Sequence, residues 1–368
     1  MKIFIVNTDY YSLSQFYSKN PNFDDLTYLK QNNIRMNSLI GTADFYSSNL
    51  KLLGYDAWDV IANIEPMQKR WIKENKIKFN EYKFNISFKK GFFPWVSKKK
   101  KQWLFDILRE QVKLFKPDVI YSMAIETIDS KFLESVKGNY RIAIGQHAAS
   151  LNHNDISRYD MILSSLPNQI KYFKSLGLKS QYFKLGFEPR ILDSINQDKK
   201  KYDLTFIGGF GKHFQKSTNL IEKLLKNFDF KIWGYSNLSN NNSLINKNLK
   251  GILYGKEMYQ TLADSKIIFN RHADFAGNYA NNMRLFQGTG VGSLVLTEKK
   301  ENLSDLFNIG KELVDYSCID ECIEKIEYYL NHKEERELIA RNGQKRCLEE
   351  HNWYNRMEEL NHIIKSLI

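Results

Sequence analysis

Residues 281–298, NNMRLFQGTGVGSLVLTE, decide the fold of this chain. An amphipathic helical run ends in a turn broken by glycines and passes directly into an apolar strand. In an α/β protein such a junction can place a cation, a helix end and bare backbone amides around one anionic ligand. Arg284 supplies fixed positive charge, and Gly288, Gly290 and Gly292 let the backbone approach without side-chain obstruction. The stretch therefore predicts either a phosphate-binding junction or a plain packing turn between helix and strand.

The order of residues separates this junction from two common phosphate-binding motifs. A P-loop carries Gly-Lys followed by Ser or Thr, which this stretch lacks. The glycines of a dinucleotide-binding fingerprint follow a strand and open a helix, whereas these glycines close a helix and precede a strand. A phosphate-containing ligand is therefore suggested by local chemistry alone.

The alternation of strands and helices extends along the whole chain. In the first half, the residue patterns predict strands at 2–6, 56–61, 118–122, 141–144 and 161–164, and helices at 38–53 and 98–115. In the second half they predict strands at 203–207, 230–233, 265–270, 293–297 and 313–316, and helices at 217–227, 257–263, 320–330, 333–349 and 354–367. The polar segment 191–201, ILDSINQDKKK, predicts a linker. We therefore expect an α/β protein with two Rossmann-like doubly wound domains facing a cleft, where such folds bind ligands.

The composition narrows the class of protein. With 368 residues the chain is long enough for two hydrophobic cores. No apolar run approaches the roughly 20 residues that span a bilayer, and the opening MKIFIVNTDYYS predicts a first strand rather than a signal peptide. The cysteines Cys318, Cys322 and Cys347 lack companion ligands at metal spacing, which predicts thiols in a reducing compartment. A cytoplasmic location follows as the expectation.

The formal net charge of +12 predicts an acidic partner or surface. No helix-turn-helix, RNP or zinc-finger pattern supports nucleic acid, so we expect none. Residues 88–103, FKKGFFPWVSKKKKQW, interleave aromatic side chains with lysines, which suits docking on an anionic membrane surface. The alternative is a solvated loop whose aromatic side chains cover the core. The residues predicted to dock on the inner face of the cell membrane are Phe92, Phe93, Trp95, Lys98, Lys99, Lys100 and Lys101.

Several further motifs point to one family. In the second half these are YDLTFIGG (202–209), SKIIFN (265–270), the opening stretch, NLSDLF (302–307), IEYYLNHKEER (326–336) and HNWYNRMEEL (351–360). In the first half they are NIEPMQKRW (63–71), GQHA (145–148) and YDMILSS (159–165). Together they resemble the GT-B glycosyltransferases, in particular the CgeB-like branch of the group-1 glycosyltransferase superfamily. The resemblance covers residues 202–360 well and the first half more weakly.

The resemblance implies an activity and a domain organisation. A nucleotide-sugar donor would bind mainly to a donor domain at 202–352, and an acceptor mainly to an acceptor domain at 1–190; we expect a final helix at 353–368 to pack back on the first domain. The implied reaction moves a sugar from a nucleotide-diphosphate donor to a glycan or lipid-linked acceptor, in cell-surface polysaccharide or glycoconjugate synthesis. The family implies no bound metal and no cofactor, and the sequence has no Asp-x-Asp pair in a plausible metal-holding loop. Inversion or retention of the anomeric configuration stays open.

The opening stretch supplies the first donor-site candidates. Arg284 would neutralise the donor diphosphate, unless it pairs with a nearby acid. Gln287 stands where the family commonly has a carboxylate that accepts hydrogen bonds from the ribose hydroxyls; an amide still accepts through its oxygen but carries no charge. Thr289 and Gly290 would offer backbone amides to the diphosphate, with a simple helix–strand turn as the alternative.

Polar and glycine positions at the predicted strand ends and turns complete the donor site. A glycine turn followed by two potential cations is suited to bind phosphate. Side chains directly after the strand 265–270 would project into the cleft, where ligands of such folds bind. A tyrosine could stack on the nucleotide base. The two asparagines that open the helix would face the sugar or merely cap turns. These candidates are Gly208, Gly209, Lys212, His213, Tyr235, Arg271, His272, Asn281 and Asn282.

The general base is expected in the first domain. His147 follows the strand at 141–144 and has an ordinary pKa close to working pH, while Glu126 follows the strand at 118–122 and competes for the role. Two other functions stay open beside sugar transfer. One is a non-catalytic nucleotide-sugar-binding protein, and the other is a transferase of a phosphorylated group on the same fold.

Overall fold

The computed structural model describes residues 1–9, 20, 22–78, 102–151, 154–211, 218–238, 243–280 and 282–368, together with the backbone of 84–88 and 94–98. Most of the predicted membrane-docking residues fall outside these ranges, and Trp95 and Lys98 are described by their backbone alone. Membrane docking therefore stays a prediction.

The first half of the chain forms a six-stranded parallel sheet in the order β2-β1-β5-β6-β7-β8, beside a separate antiparallel hairpin of β3 and β4. Strands β1 to β8 cover Lys2–Asn7, Asp56–Ile61, Phe84–Phe88, Pro94–Lys98, Val119–Ser122, Ile142–Gln146, Met161–Ser164 and Ser180–Tyr182. Helices α1 to α6 cover Tyr28–Asn37, Phe45–Leu52, Glu65–Glu74, Gln102–Phe115, Ser130–Ser135 and Pro167–Ser175. The buried apolar run Ile3 to Val6 makes β1 suitable as an inner strand covered on both faces.

The second half forms a five-stranded parallel sheet in the order β10-β9-β11-β12-β13. Strands β9 to β13 cover Tyr202–Ile207, Phe230–Trp233, Ser265–Asn270, Leu294–Glu298 and Val314–Tyr316. Helices α7 to α13 cover Thr218–Asn227, Leu244–Asn248, Gly255–Ala263, Met283–Gly290, Ile319–Asn331, Lys333–Glu350 and Trp353–Leu367. Short 3₁₀ turns occupy Phe23–Asp25, Pro189–Ser194 and Asp274–Ala276. The predicted α/β fold class, with two Rossmann-like doubly wound sheets, is confirmed.

The opening stretch folds as its pattern predicts, with α10 leading into β12. Gly292 joins them at φ +74°, a left-handed conformation that glycine adopts at little cost. Gly288 and Gly290 lie within this helix. Both positions are glycine because neighbouring side chains pack so closely against them that a larger side chain would not fit. A Cβ at Gly288 would lie 2.8 Å from the Val295 side chain, and one at Gly290 would collide with the Phe187 ring.

One long element predicted from the sequence is wrong in part. The helix expected at 38–53 begins only at Phe45, because residues 38–44 form a turn with positive φ at Leu39 (57°), Gly41 (62°) and Ala43 (41°). Positive φ at leucine and alanine is costly and persists only where surrounding contacts enforce it. Here the Ile40 carbonyl accepts a hydrogen bond from Arg35 at 3.2 Å.

The last helix crosses back to the first sheet. The Trp353 ring lies 4.8 Å from that of Tyr46 on α2, and the Tyr55 hydroxyl donates to Asn361 at 2.6 Å. The backbone of Phe187 bonds to His351 and Trp353 at the crossover. Buried side chains from both halves consequently form one continuous apolar cluster beneath the two sheets. Among the described helices, none has the length and apolar character to cross a membrane.

Candidate active site

The carboxyl ends of the second sheet gather most of the described donor-site candidates. Parallel strands end at the same edge of a sheet, so the residues that follow β9, β10 and β11 become neighbours. The Arg271 guanidinium donates to the Gly209 carbonyl, and Arg284 Nε donates to the Ile207 carbonyl at 3.2 Å. The Gly208–Gly209 turn is thus held between two arginines that come from distant parts of the sequence.

The glycine turn also fits tightly against the residues after β10. Gly208 N–H donates to the Trp233 carbonyl at 3.0 Å, and Phe210 N–H donates to the Tyr235 carbonyl at 2.8 Å. Gly234 has φ +144°, and a Cβ there would collide with the Gly208 carbonyl oxygen, so this position requires glycine. The Tyr235 ring stays 50% exposed beside Gly209, a position compatible with stacking on a ligand.

One amide of this turn is left open. The N–H of Gly209 finds no hydrogen-bond acceptor among the described residues, although its two neighbours are bonded. In a trans peptide the N–H points opposite to the preceding C=O, and the Gly208 C=O faces Gly234 on the β10 side. The Gly209 N–H therefore points toward β11, the side on which Arg271 and Arg284 lie.

Arg284 lies in the first turn of α10 and is half-buried. Its Nη1 donates to Gln287 Oε1 at 2.8 Å and to Met258 Sδ at 2.9 Å, and its Nε donates to the Ile207 carbonyl. All three acceptors are neutral, and within the described ranges no acidic side chain forms an ion pair with Arg284. Burial lowers the pKa of Arg284 to about 10, so the guanidinium stays charged at neutral pH. A partly buried cation without a counter-charge favours an anionic ligand.

Asn282 fixes the start of that helix. Its Oδ1 accepts from Leu285 N–H at 2.9 Å, which caps α10, and its Nδ2 donates to Asn270 Oδ1 at 2.9 Å and to the Arg271 carbonyl at 2.6 Å. Of the two alternatives weighed for Asn282, the structure displays the cap. These bonds hold the start of α10 at the end of β11, and Arg284 lies in the first turn of that helix.

Arg271 and His272 are directed inward, contrary to the expectation that both project into the cleft. Arg271 is 4% exposed, with its guanidinium 4.7 Å from the Phe206 ring centre and 4.8 Å from that of Phe210. Burial lowers the pKa of Arg271 to about 10. His272 Nε2 lies 3.1 Å from Thr297 Oγ1 in the interior. Both residues follow a strand end, but aromatic and polar partners inside the domain take up their side chains.

Gln287, Thr289 and Gly290 lie further along α10, away from its capped end. Gln287 is 5% exposed and donates from Nε2 to the Tyr259 hydroxyl at 3.0 Å. Thr289 Oγ1 donates to the Leu285 carbonyl at 2.8 Å, and Gly290 packs on Phe187. The free N–H groups of a helix lie in its first turn, whereas residues of its last turn bond backward along the helix. Amide donation from Thr289 and Gly290 to a diphosphate therefore does not fit their place in α10.

Three further donor candidates, Lys212, His213 and Asn281, lie outside the described residues. Their predicted contacts with the donor stay predictions.

The candidate bases lie at neighbouring strand ends of the first sheet. His147 follows β6, and its backbone N–H donates to the Leu163 carbonyl at 2.9 Å. Its Nε2 is buried without a hydrogen-bond partner in the described structure. Burial lowers the pKa of His147, while the nearby Glu126 carboxylate, after β5, acts in the opposite direction. A neutral imidazole with a free nitrogen is suited to accept a proton.

The sequence alone did not reveal which side chains hold Arg284 and Gln287 in place. Met258 and Tyr259 of α9 bond to Arg284 and Gln287, and no local sequence motif marks them.

A second feature that the sequence did not reveal is a buried ion pair in the first half of the chain. Arg35 is fully buried and pairs with Asp9 at 2.6 Å, just beyond β1. The position of Asp9 directly after the first strand was the one available signal for that pair.

Comparisons with known proteins agree with this architecture. Residues 215–362 match a family model described as glycosyl transferase-like. A search of curated proteins found no match. Similar solved structures include HepE from Anabaena in complex with UDP-glucose, at 10% identity and a TM-score of 0.61 over 100% of both chains. AviGT4, a glycosyltransferase involved in avilamycin A biosynthesis, has 11% identity and a TM-score of 0.60 over 100% of this chain and 98% of its own. Sucrose-phosphate synthase from Thermosynechococcus elongatus has 8% identity and a TM-score of 0.56 over 100% and 99%.

These similarities identify the fold as GT-B and confirm the resemblance to group-1 GT-B glycosyltransferases. The family match covers most of the second sheet and its helices, including Arg284 and the capped start of α10. It supports sugar transfer as the class of reaction.

Proposed function

We propose that this protein is a glycosyltransferase that moves a sugar from a nucleotide-diphosphate donor to a glycan or lipid-linked acceptor. The family match supports the reaction class, and the related fold of HepE is occupied by UDP-glucose in its own structure. The observation that carries the proposal is the Arg284 guanidinium, held by neutral acceptors beside the glycine turn.

The donor diphosphate is proposed to bind between Arg284 and the Gly209 N–H. One group supplies a full positive charge and the other an unused backbone donor. Each charge-assisted hydrogen bond of this type contributes about 1.5–3 kcal/mol, so two of them are a substantial part of a micromolar affinity of roughly 8 kcal/mol. The exposed Tyr235 ring would then stack on the nucleotide base.

In the proposed reaction the acceptor hydroxyl oxygen bonds to the anomeric carbon of the donor sugar. The bond between that carbon and the diphosphate oxygen breaks, and its electron pair leaves with the nucleoside diphosphate. Arg284 stabilises the charge that develops on this leaving group. Whichever anomeric configuration results, the acceptor hydroxyl loses its proton, and we assign that proton to His147 Nε2, with Glu126 as the competing acceptor.

The proposal extends to the setting of the reaction. We propose that Arg284 and backbone amides, rather than a metal ion, offset the diphosphate charge. We also propose an acceptor in cell-surface polysaccharide or glycoconjugate synthesis. The protein is proposed to be cytoplasmic and to associate with the inner face of the membrane through Phe92, Phe93, Trp95, Lys98, Lys99, Lys100 and Lys101. The net charge of +12 supports such an anionic surface.

A donor-hydrolysis and transfer assay tests the function. Purified protein is incubated with a panel of UDP-, GDP-, ADP- and TDP-sugars, and release of nucleoside diphosphate is measured with and without candidate acceptors. Release from one donor class is expected, together with a loss of at least about a hundredfold in Arg284→Ala, the scale seen when one oxyanion-stabilising donor is removed. Arg284→Ala should keep the thermal stability of the wild type within a few degrees. Turnover close to wild type in that variant would refute the assigned role, and selective binding without release would indicate a binding protein instead.

A further inference from the structure

Gln287 is the one side chain of α10 that bonds to Arg284. Its Oε1 accepts from Arg284 Nη1 at 2.8 Å, and its Nε2 donates to the Tyr259 hydroxyl at 3.0 Å. The Tyr259 hydroxyl cannot supply negative charge at neutral pH, because burial raises the pKa of Tyr259 well above its usual range. Both ends of the amide are therefore committed to partners within the domain, and neither partner carries negative charge.

The geometry also fixes what a charged residue would do at this position. A glutamate is nearly isosteric with glutamine, so its carboxylate would lie at the same 2.8 Å from Arg284 Nη1. At that distance, and with little exposure to water, it would form an ion pair that offsets the guanidinium charge. The remaining acceptors of Arg284, the Ile207 carbonyl and Met258 Sδ, leave its charge unchanged.

We infer that Gln287 is a positioning residue whose neutral amide orients Arg284 and leaves its positive charge available to the diphosphate of the donor. The inference rests on the proposed function and assigns Gln287 a role different from ribose binding. Its amide oxygen and nitrogen already bond to Arg284 and Tyr259, and the side chain is buried beneath them. Residue 287 therefore affects how tightly the negatively charged diphosphate of the donor binds, rather than how tightly the ribose hydroxyls bind.

The two roles predict opposite results for Gln287→Glu. If residue 287 bonds to the ribose, a carboxylate is the better acceptor, and both UDP and uridine should bind more tightly. If residue 287 holds Arg284, the carboxylate offsets the charge, and UDP binding should weaken by at least about tenfold. Uridine, which carries no phosphate, should then bind as it does to the wild type.

Calorimetric titration of UDP and uridine into three proteins makes the comparison: wild type, Gln287→Glu and Asn331→Asp. The last variant adds the same charge on an exposed position at the end of α11 and serves as the matched control. Weaker UDP binding in Gln287→Glu alone, with uridine unaffected, supports the inference. Unchanged or tighter UDP binding overturns it, and so does an equal loss for uridine. UDP is the first probe, and the other nucleoside diphosphates follow if it does not bind.

A measurement without ligand separates this inference from the proposed function. The carboxyl group introduced by Gln287→Glu would have a lowered pKa if it pairs with Arg284. Urea unfolding should then show this variant gaining stability over the wild type as pH rises from 3 to 7. A buried carboxyl without Arg284 as partner would instead lose stability over the same range. The first result together with no binding of any nucleoside diphosphate would reject the proposed function while the contact with Arg284 stands. The second result rejects the inference itself.

Discussion

Replacing Gly209 by alanine separates the role of the glycine turn in binding from its role in folding. The added Cβ would lie 2.5 Å from Cζ of the Tyr235 ring, about 1 Å closer than ordinary contact. Because that ring is 50% exposed, it can rotate toward solvent at a cost of about 0.5–1.5 kcal/mol. The variant should therefore fold, with a small loss in its free energy of unfolding.

Donor binding should suffer much more in Gly209→Ala. A methyl group beside the open N–H would hold the diphosphate away from the turn and displace Tyr235 from the base. Loss of one charge-assisted hydrogen bond costs about 1.5–3 kcal/mol, which corresponds to roughly 10- to 150-fold in the dissociation constant. Calorimetric titration with the preferred nucleoside diphosphate, beside urea unfolding, measures both quantities.

Gly211→Ala is the matched control. A Cβ at Gly211 would lie 3.5 Å from the nearest atom of the described residues, Asn237 Cβ, which is ordinary contact. This variant should bind the nucleoside diphosphate as the wild type does. Equal affinities in wild type and Gly209→Ala would show that the diphosphate does not approach this turn, and the proposed geometry would be wrong.

Three stability predictions follow from buried groups away from the donor turn. Burial lowers the pKa of His351 to about 4, below its ordinary value of about 6.5, so the unfolded chain binds more protons than the folded one. The free energy of unfolding should therefore fall by up to roughly 3 kcal/mol as pH drops from 6.5 to 4. Urea unfolding of the wild type and of His351→Gln measures this fall, and equal pH dependence in both proteins would contradict it. Burial raises the pKa of Asp59 to about 7, so the wild type should lose up to roughly 4 kcal/mol in its free energy of unfolding as pH rises from 4 through 7. Asp59→Asn should remove this loss. The same pH profile in the variant and the wild type would count against a buried neutral carboxyl at Asp59. Trp353→Ala should cost about 3–5 kcal/mol because the indole is buried against Tyr46 of the first domain, and a thermal midpoint near that of the wild type would show that α13 does not hold the two halves together.

The sequence predicted the parallel strands well because their patterns are local. Runs such as IFIV in β1 and IIF in β11 are continuous, apolar and bounded by polar residues, which is typical of strands covered on both faces. The stop of α4 before Pro117 and the start of β12 after Gly292 were likewise marked by single residues. Such signals require no knowledge of the rest of the molecule.

The missed features depend on contacts between distant segments. Residues 38–44 have a helical pattern, but Arg35 and the neighbouring domain hold them in a turn with positive φ at Leu39 and Ala43. A Cβ at Gly255 would collide with the Ser38 carbonyl, which shows how closely α9 approaches this turn. Tertiary packing of this kind overrides helix propensity and leaves no trace in a single segment.

The sequence predicted which residues would be neighbours in the candidate site better than it predicted the directions of their side chains. Strand ends and the glycine turn pointed to the carboxyl edge of the second sheet, and the structure brings Gly209, Tyr235 and Arg284 together there. Donor binding at this edge stays a prediction. The side-chain directions of Arg271 and Gln287 could not be derived from spacing, because the rings of Phe206 and Phe210 and the hydroxyl of Tyr259 determine them.

A crystal structure of the protein with its preferred nucleoside diphosphate would show directly where the diphosphate binds. We expect the phosphoryl oxygens nearest the sugar to lie within about 3 Å of both an Arg284 nitrogen and the Gly209 backbone nitrogen. A diphosphate bound elsewhere on the molecule, or Arg284 turned away to pair with a carboxylate while the nucleotide is bound, would refute the proposed donor site.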